Sequence, residues 1–239
     1  MKLKRLLINK IKRILGPFYK FPRSTMFATA LYKKYKNITH NPKSKSELHD
    51  FWKAPWDGDN LPEDYLKGTE RSEFLLGILK RYGAQDLKIL EIGCNVGRNL
   101  NHLYISDYRN LEAIEISENA IQVLKKSFPE MAKNIEIHIT AIEDIIQQFK
   151  TNRFNIIYTM AVLEHIHDDS SWIFPEIARI TNNFLITIED ETTWSWRHFP
   201  RNYKKIFESF GMEQVEEINC EGIKELGMEY KARIFKKIA

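Results

Sequence analysis

From residue 88 onward, short apolar segments alternate with segments of helical periodicity, and this alternation constrains the fold more than any other feature. Strands are predicted over five segments, residues 88–92, 111–116, 135–139, 155–160 and 184–188. Helices are predicted between them, over 98–106, up to 128, over 143–149 and over 171–180. Strands that alternate with helices in this way form a parallel sheet with helices on both faces. A helix over 203–210 and two strands over 213–219 and 230–235 follow.

The composition excludes several classes of protein. Of the 239 residues, 43% are hydrophobic and 28% are charged, which is typical of a globular chain and excludes wholesale disorder. No apolar run approaches the ~18–20 residues that span a bilayer, and no signal-peptide cleavage pattern follows the basic first residues. Two cysteines cannot form a disulfide framework. We therefore expect a cytoplasmic protein.

The charge of the chain is unevenly distributed. Residues 1–46 contain 13 Lys and Arg and no Asp or Glu, whereas the remainder carries a net charge of −9. A basic arm on an acidic body favours an anionic partner, either a membrane surface or a nucleic acid. The chain is thus predicted to comprise an extension over 1–46, a lid and first helix over 47–84, and a core over 85–239.

The first 15 residues have the pattern of a basic amphipathic helix. Apolar residues recur at helical spacing, namely Leu3, Leu6, Leu7, Ile11, Ile14 and Leu15, and Gly16-Pro17 ends the helix. Such a helix either lies in a membrane interface, which would place the protein on the inner face of the membrane, or docks its apolar stripe on the body.

The turn after the first predicted strand is a candidate ligand-binding loop. In open parallel sheets, ligands bind beyond the carboxyl ends of the strands. The sequence there is Glu91-Ile92-Gly93-Cys94-Asn95-Val96-Gly97. Dinucleotide sites need glycine at the first, third and sixth positions, but the third and sixth positions here are Asn95 and Arg98. The sequence therefore argues against a dinucleotide.

The same turn resembles the first motif of class I S-adenosylmethionine-dependent methyltransferases, which reads acidic-x-Gly-x-Gly-x-Gly. Asn95 stands where the middle glycine is usual, and asparagine tolerates a left-handed backbone. Glu115 follows at the end of the second strand, where a carboxylate can bind a ribose diol. The segment after the fourth strand, Val162-Leu163-Glu164-His165-Ile166, is similar to that of the branch that includes quinone and sugar methyltransferases.

This resemblance implies a fold and a cofactor. The fold is α/β, a Rossmann-like seven-stranded sheet with helices on both faces and a final antiparallel strand, here preceded by an N-terminal helical extension. The cofactor is S-adenosylmethionine. The implied cofactor-binding residues are Glu91, Gly93, Cys94, Asn95, Gly97, Glu115, Ile116, Ile142, Glu143, Asp144 and Met160. Arg71 is a separate candidate for the carboxylate of the methionine moiety, and the alternative is an arginine on the surface of its helix. Glu143 or Asp144 would bind the adenine amine, although either residue equally suits the first turn of a helix.

Methyl transfer to an alcohol needs a proton acceptor, and His165 is the leading candidate because it follows the fourth strand. His198 and His167 are its rivals, and a purely structural role for His165 stays open. Asp168-Asp169 is interpreted as a helix cap, so no metal site is predicted.

The acceptor is expected to bind to segments outside the motifs. Candidate contacts lie just after the fifth strand, at Trp194, Trp196, Arg197, Arg201 and Tyr203, and the loop over 52–65 is a candidate lid. Aromatic rings and arginines suit a sugar, an aromatic ring or an anion. The same residues could instead plug the core.

The favoured function is methylation of a small-molecule or glycan acceptor, specifically O-methylation of a sugar in surface-glycan biosynthesis. A lipid-quinone or isoprenoid methyltransferase would use the basic arm differently. An RNA methyltransferase is disfavoured, since the fourth-strand motif lacks the Asn/Asp-Pro-Pro-aromatic signature. A cofactor-binding scaffold without catalysis is a further alternative, and the oligomeric state is left open.

Overall fold

The structure, a computed structural model, describes residues 43–55, 60–224 and 226–238. Its centre is a sheet of seven strands: β1 (Ile89–Ile92), β2 (Leu111–Glu115), β3 (Glu136–Ile139), β4 (Phe154–Met160), β5 (Thr181–Asp190), β6 (Met212–Asn219) and β7 (Tyr230–Lys237). Their order across the sheet is β3-β2-β1-β4-β5-β7-β6. β1 to β5 are parallel, and β7 runs antiparallel to both β5 and β6. The predicted sheet, including its final antiparallel strand, is confirmed.

Eight α-helices lie in the described part of the chain: α1 (Lys45–Lys53), α2 (Glu70–Tyr82), α3 (Arg98–Ile105), α4 (Glu118–Ser127), α5 (Pro129–Asn134), α6 (Ile142–Ile145), α7 (Ile173–Ile180) and α8 (Tyr203–Glu208). Short 3-10 helices cover Pro62–Leu66, Ile146–Gln148, Leu163–His165 and Asp168–Ser170. The predicted helix up to residue 128 is followed directly by α5, because Pro129 suits the first position of a new helix.

The sheet separates two apolar cores. One core packs α2, α3, α4 and α5 against one face of the sheet, with Leu79, Leu100 and Leu124 fully buried. The other core packs α6, α7 and α8 against the opposite face, with Ile177 and Phe207 fully buried. β1 is buried along its whole length, as expected for a strand that is covered on both faces.

α1 is a short helix that precedes the sheet in the chain, and its start is strongly specified. The side chain of Ser44 caps the helix by accepting from the Glu47 N–H, and the Glu47 side chain accepts from the Ser44 N–H. This reciprocal capping box satisfies two backbone donors that a helix start otherwise leaves unpaired. Leu48 and Phe51 are buried, so α1 is anchored on the body.

The basic helix predicted over 1–15 lies outside the described residues, as do residues 16–42 and 56–59. The predicted boundary between an extension and a lid near residue 46 therefore stays a prediction. Among the residues that the structure describes, no helix combines the length and the hydropathy needed to cross a bilayer.

Candidate active site

A cavity of about 290 Å³ opens at the carboxyl ends of the central strands. It is lined by the segments that directly follow β1, β2, β3 and β4, together with residues of α1 and of the segment after β5. This is the edge at which open parallel sheets bind ligands. The volume is close to the lower end of the ~300–1,000 Å³ range of ligand pockets.

The glycine loop, residues 93–97, contributes its first four residues to one wall of this cavity, whereas Gly97, a predicted cofactor-binding residue, does not line it. Gly93, Asn95 and Gly97 all have left-handed backbone, with φ of +74°, +47° and +71°. A Cβ on Gly93 would lie 2.5 Å from the Val162 Cγ2, and one on Gly97 would lie 2.5 Å from the Leu124 Cδ1. Both glycines are therefore required by conformation and by packing, whereas Asn95 adopts the left-handed region that asparagine tolerates.

Glu115, at the end of β2, holds the glycine loop in place. Its Oε2 accepts from the Asn95 N–H at 2.7 Å, and its Oε1 accepts from the Ser117 N–H at 2.8 Å. Burial raises the pKa of this carboxyl despite the two backbone donors. Each oxygen has a further lone pair, and Glu115 lines the cavity. The carboxylate is thus placed to accept hydrogen bonds from a diol.

Glu91 lies beneath the glycine loop and is 2% exposed. Its Oε1 accepts from Asn99 Nδ2 at 3.1 Å, and Asn99 Oδ1 in turn accepts from the Ser72 hydroxyl at 2.8 Å. Burial raises the pKa of Glu91 to about 7, more than the hydrogen bond from Asn99 lowers it. This chain of contacts connects β1 to α3 and α2 directly under the cavity.

The acidic residues predicted to bind adenine are placed differently from each other. Glu143 lines the cavity, and its Oε1 accepts from the Ser170 hydroxyl at 2.8 Å and from His49 Nε2 at 3.1 Å. Burial opposes ionisation, but the bonds from His49 and Ser170 lower the pKa of Glu143 overall. Asp144 is exposed and does not line the cavity. Glu143 is therefore the better placed of the two.

The other predicted cofactor-binding residues all line the cavity, namely Arg71, Cys94, Ile116, Ile142 and Met160. Arg98 lines it as well, although it was considered only as an obstacle to a dinucleotide. Its guanidinium donates to the carbonyl oxygens of Lys67 and Tyr65, at 3.1 and 3.3 Å. Arg98 thereby connects the start of α3 to the segment before α2.

At another part of the cavity wall, Glu164, His165 and His198 form what we call the Glu–His–His cluster. Glu164 Oε1 lies 3.6 Å from His165 Nε2 and 3.7 Å from His198 Nε2. The two imidazole rings have centroids 4.6 Å apart. The structure therefore brings together both histidines predicted to be catalytic, and it adds Glu164, which was not singled out.

The hydrogen bond of Nδ1 fixes the orientation of the His165 ring. His165 Nδ1 lies 2.9 Å from the carbonyl oxygen of Arg197, which can only accept, so Nδ1 carries the proton. Burial, together with the nearby His198, lowers the pKa of His165 well below its usual range. Burial likewise lowers the pKa of His198 to about 4. The neutral His165 thus presents the lone pair of Nε2 toward Glu164.

Glu164 is held by donors from two strands. The Tyr230 hydroxyl, from β7, donates to Oε1 at 2.9 Å, and the Asp190 N–H, at the end of β5, donates to Oε2. Burial and the neighbouring Glu189 raise the pKa of Glu164 to about 9. Sequence patterns could not indicate this arrangement, because it depends on the register of β5 against β7.

α1 covers the Glu–His–His cluster. The Trp52 ring lies 4.5 Å from the His165 ring, centroid to centroid. The Arg197 guanidinium lies over three aromatic rings, at 5.5 Å from Phe51 and 5.6 Å from Trp52 and Trp196. These cation–π contacts fix Arg197 and α1 relative to each other.

Of the residues predicted to contact the acceptor, Arg197 lines the cavity, whereas Trp194, Trp196, Arg201 and Tyr203 do not. Tyr203 is fully buried in the core beside α7. Arg201 donates to the carbonyl oxygens of Leu163 and Ile166 and pairs with Asp168 at 2.7 Å. For Tyr203 and Arg201, the alternative of a structural role in the core therefore fits better than contact with the acceptor. His167 lines the cavity, and its Nδ1 accepts from the Asp169 N–H.

The chain is similar to known methyltransferase domains in part of its sequence and in its fold. The profile of a family described as a methyltransferase domain matches residues 90–183. An S-adenosylmethionine-dependent methyltransferase from Mesorhizobium loti superposes with a TM-score of 0.57 at 11% identity, over 72% of this chain and 100% of that one. No curated protein sequence matches the chain.

Two solved structures with bound S-adenosylhomocysteine are also similar in fold. For geranyl diphosphate C-methyltransferase from Streptomyces coelicolor A3(2), the TM-score is 0.60 at 10% identity, over 81% of this chain and 98% of that one. For phosphoethanolamine N-methyltransferase 2 from Haemonchus contortus, the TM-score is 0.61 at 14% identity, over 80% of this chain and 60% of that one. The buried Glu115 and the left-handed glycine loop fit S-adenosylmethionine as the cofactor of the matched domain.

Proposed function

We propose that this S-adenosylmethionine-dependent methyltransferase methylates a hydroxyl group of a small polar or glycan-type acceptor, and specifically a sugar in surface-glycan biosynthesis. One observation carries the proposal. Possible ligand atoms of Glu164, His165 and His198 lie within 4.8 Å of one another inside the cavity that the glycine loop lines, and His165 Nε2 among them carries a lone pair. An alcohol must lose its proton when its oxygen is methylated, and this cluster is a suitable destination for it.

The glycine loop and its neighbours hold the cofactor. Glu115 binds the ribose hydroxyls, the backbone around Gly93 allows close approach, and Glu143 and Ile142, which also line the cavity, are assigned to the adenine. Arg71 is assigned to the carboxylate of the methionine moiety. S-adenosylmethionine, when bound, supplies an electrophilic methyl group on a sulfonium. The leaving thioether is neutral, so no residue has to protonate it.

His165 is assigned as the base. Its Nδ1–H is bonded to the Arg197 carbonyl, so Nε2 is free of a proton and faces Glu164 in the cavity wall. Trp52, a residue of α1, covers the His165 ring and restricts the access of water to it. His165 therefore accepts the proton of the acceptor hydroxyl, and His198 and Glu164 orient that hydroxyl.

The acceptor class follows from what surrounds the cluster. Trp52 offers an aromatic face and Arg197 a guanidinium, both at the cavity wall. Aromatic faces and planar donors suit the apolar face and hydroxyls of a sugar ring. The basic residues 1–46, 13 Lys and Arg without an acidic residue, suit a position at an anionic membrane surface where surface glycans are assembled.

The experiment that tests the function uses methyl-labelled S-adenosylmethionine and a cell extract split into small-molecule, lipid, glycan, protein and RNA fractions. We expect label in the glycan or small-molecule fraction, with little in a matched reaction of the Glu115→Ala variant. Label in the RNA or lipid fraction would replace the proposed acceptor. No label in any fraction, with cofactor binding retained, would support the non-catalytic alternative.

The base assignment has its own test. His165→Ala should lower turnover about 10²–10⁴-fold with little change in cofactor affinity. The matched control is His102→Ala, which removes an imidazole from α3 outside the cavity lining. Turnover of His165→Ala within a few fold of the control would remove His165 from the mechanism.

The membrane assignment is tested by deletion of residues 1–16. The shortened protein should leave the membrane fraction and keep its turnover of a soluble acceptor. Recovery of the shortened protein with membranes would contradict the assignment.

A further inference from the structure

We infer that the Glu–His–His cluster is a binding site for one divalent metal ion of the Zn²⁺ type, coordinated by Glu164 Oε1, His165 Nε2 and His198 Nε2. The three atoms lie within 4.8 Å of one another. The inference rests on the proposed function only for the identity of the next ligand, which would be an oxygen of the acceptor. Binding of the ion itself can be tested without any acceptor.

The separations within the cluster suit an ion better than a shared proton. Hydrogen bonds of this kind are about 2.7–3.2 Å long, whereas Glu164 Oε1 is 3.6 and 3.7 Å from the two histidine nitrogens. Metal–ligand bonds of about 2.0–2.2 Å place neighbouring ligands of a tetrahedral ion about 3.3–3.6 Å apart. The two separations from Glu164 therefore need little adjustment to accept an ion, and the possible ligand atoms of the two histidines lie within 4.8 Å of each other.

The low exposure of the three side chains also suits a bound ion. His165 Nε2 is an acceptor because Nδ1 donates to the Arg197 carbonyl. Glu164 is 1% exposed, and the side chains of His165 and His198 are 11% and 17% exposed. A bound ion would use lone pairs that little water reaches.

Each ligand has the outer support that metal ligands usually have. His165 Nδ1 bonds the Arg197 carbonyl at 2.9 Å, and His198 Nδ1 bonds the Ser195 hydroxyl at 2.6 Å. The second oxygen of Glu164 accepts from the Asp190 N–H. Contacts of this kind fix the tautomer and the direction of metal-ligating side chains. Three protein ligands at a cavity wall leave further positions open, as in catalytic rather than structural zinc sites.

The ligand set determines the class of ion. Two imidazoles and one carboxylate favour Zn²⁺, Co²⁺ or Fe²⁺ over Mg²⁺ and Ca²⁺, which prefer oxygen ligands. Glu112, Glu136 and His138 form a second cluster of possible ligands among the described residues. There, Lys88 and Arg153 already pair with Glu112 at 2.8 and 2.9 Å, so cationic side chains take the place of an ion.

An ion at this site and the base role of His165 exclude each other at any one moment, because both use the Nε2 lone pair. With the ion bound, His165 serves as a ligand. A coordinated acceptor hydroxyl would then lose its proton to water, because the metal charge would lower its pKa as it does for coordinated water. The two mechanisms thus differ in their sensitivity to a chelator.

The test uses the full chain without a polyhistidine tag, stripped with a chelator and incubated with Zn²⁺ or with Co²⁺. Elemental analysis after desalting should give one Zn²⁺ per chain, and Co²⁺ should give the visible absorption of a low-symmetry site. Glu164→Gln and His198→Ala should each weaken binding at least 100-fold, and Ser195→Ala about 10-fold. The matched control is His102→Ala, which should bind Zn²⁺ as the unaltered chain does.

Each variant is also titrated with S-adenosylmethionine, and unaltered cofactor affinity shows that the fold is intact. Zn²⁺ retained equally by Glu164→Gln and His198→Ala, or absent from the unaltered chain, would overturn the site. If no ion binds and methyl transfer still depends on His165, the ion site fails while the proposed function stands. If one ion binds but no extract fraction is labelled, the site stands and the proposed function fails.

Discussion

The glycine loop and the Glu–His–His cluster face the same cavity, yet they are built in different ways. The glycine loop is formed by five consecutive residues, 93–97, and its shape is set by left-handed backbone at Gly93, Asn95 and Gly97. The cluster takes Glu164 and His165 from the segment after β4 and His198 from the segment after β5. Its support comes from still further away, from Tyr230 in β7 and Trp52 in α1.

This difference explains why one part of the site follows a common pattern and the other does not. A local loop that presents backbone groups depends on a few positions where a side chain cannot be accommodated. A cluster of side chains from distant segments depends on the packing of the whole domain. Changes near the glycine loop should therefore act through backbone strain and cofactor binding, and changes near the cluster through side-chain positions.

The largest effect on stability is expected for Gly93→Ala in the glycine loop. The substitution forces alanine into left-handed backbone and places its Cβ against Val162, so we expect a loss of about 2–5 kcal/mol in the free energy of unfolding. Urea denaturation measures it. The control is Gly77→Ala in α2, where no atom lies within 4 Å of the new Cβ, and a gain of about 0.4–1 kcal/mol is expected. Equal effects of the two substitutions would show that neither the left-handed backbone of Gly93 nor its contact with Val162 limits stability.

The next test concerns the buried carboxyl under the glycine loop. Burial raises the pKa of Glu91 from 4.5 to about 7, so the folded state binds its proton more tightly than the unfolded state. The resulting stability is fully present below pH 4.5 and is lost as pH rises through 7, a change of about 3 kcal/mol. Glu91→Gln should therefore gain stability relative to the unaltered protein between pH 5 and pH 8. A pH-independent difference between the two proteins would contradict this pKa.

A smaller effect is expected at the ribose contact. Glu115→Gln should weaken binding of S-adenosylmethionine by about 1–3 kcal/mol, because hydrogen bonds to a charged acceptor are lost. Isothermal titration measures the dissociation constant. Glu118→Gln, which alters an exposed carboxylate in the first turn of α4, is the control. If both variants bind the cofactor equally well, Glu115 does not contact it.

The smallest effect on stability is expected for the helix that covers the Glu–His–His cluster. Ser44→Ala removes the capping box of α1 and should cost about 0.5–1 kcal/mol. Since α1 covers the Glu–His–His cluster, hydrogen exchange should increase in α1 while the amides of β1 keep their protection. An equal increase in both elements would mean that the covering helix and the sheet open as one unit.

The parts of the fold that depend on local pattern could be predicted from the sequence. The five parallel strands, the turn at Gly93 to Gly97 and the position of Glu115 are all found as predicted, because apolar runs and glycine conformations are local properties. The boundaries were less accurate. β5 covers Thr181–Asp190 rather than 184–188, since pairing with both β4 and β7 extends it beyond its apolar segment.

The residues that support the cluster could not be predicted in this way. In the segment after β4, the predicted catalytic residue was His165, and Glu164 beside it was not singled out. No local pattern in the sequence connects Glu164 with Tyr230, which lies 66 residues away in the chain. The aromatic residues after β5 were expected to line the cavity, but Tyr203 is buried in the core. Aromatic composition alone does not determine which face of a segment a ring occupies, because packing against α7 decides it.

The position of β7 has a consequence for how the enzyme is made. β7 inserts between β5 and β6 and carries Tyr230 to Glu164, so the last strand of the sheet to be translated supplies a hydroxyl that holds Glu164 in place. On the ribosome, the residues of the glycine loop emerge more than a hundred residues before Tyr230. The segment that forms the glycine loop is therefore translated well before the strand that fixes Glu164 in the same cavity.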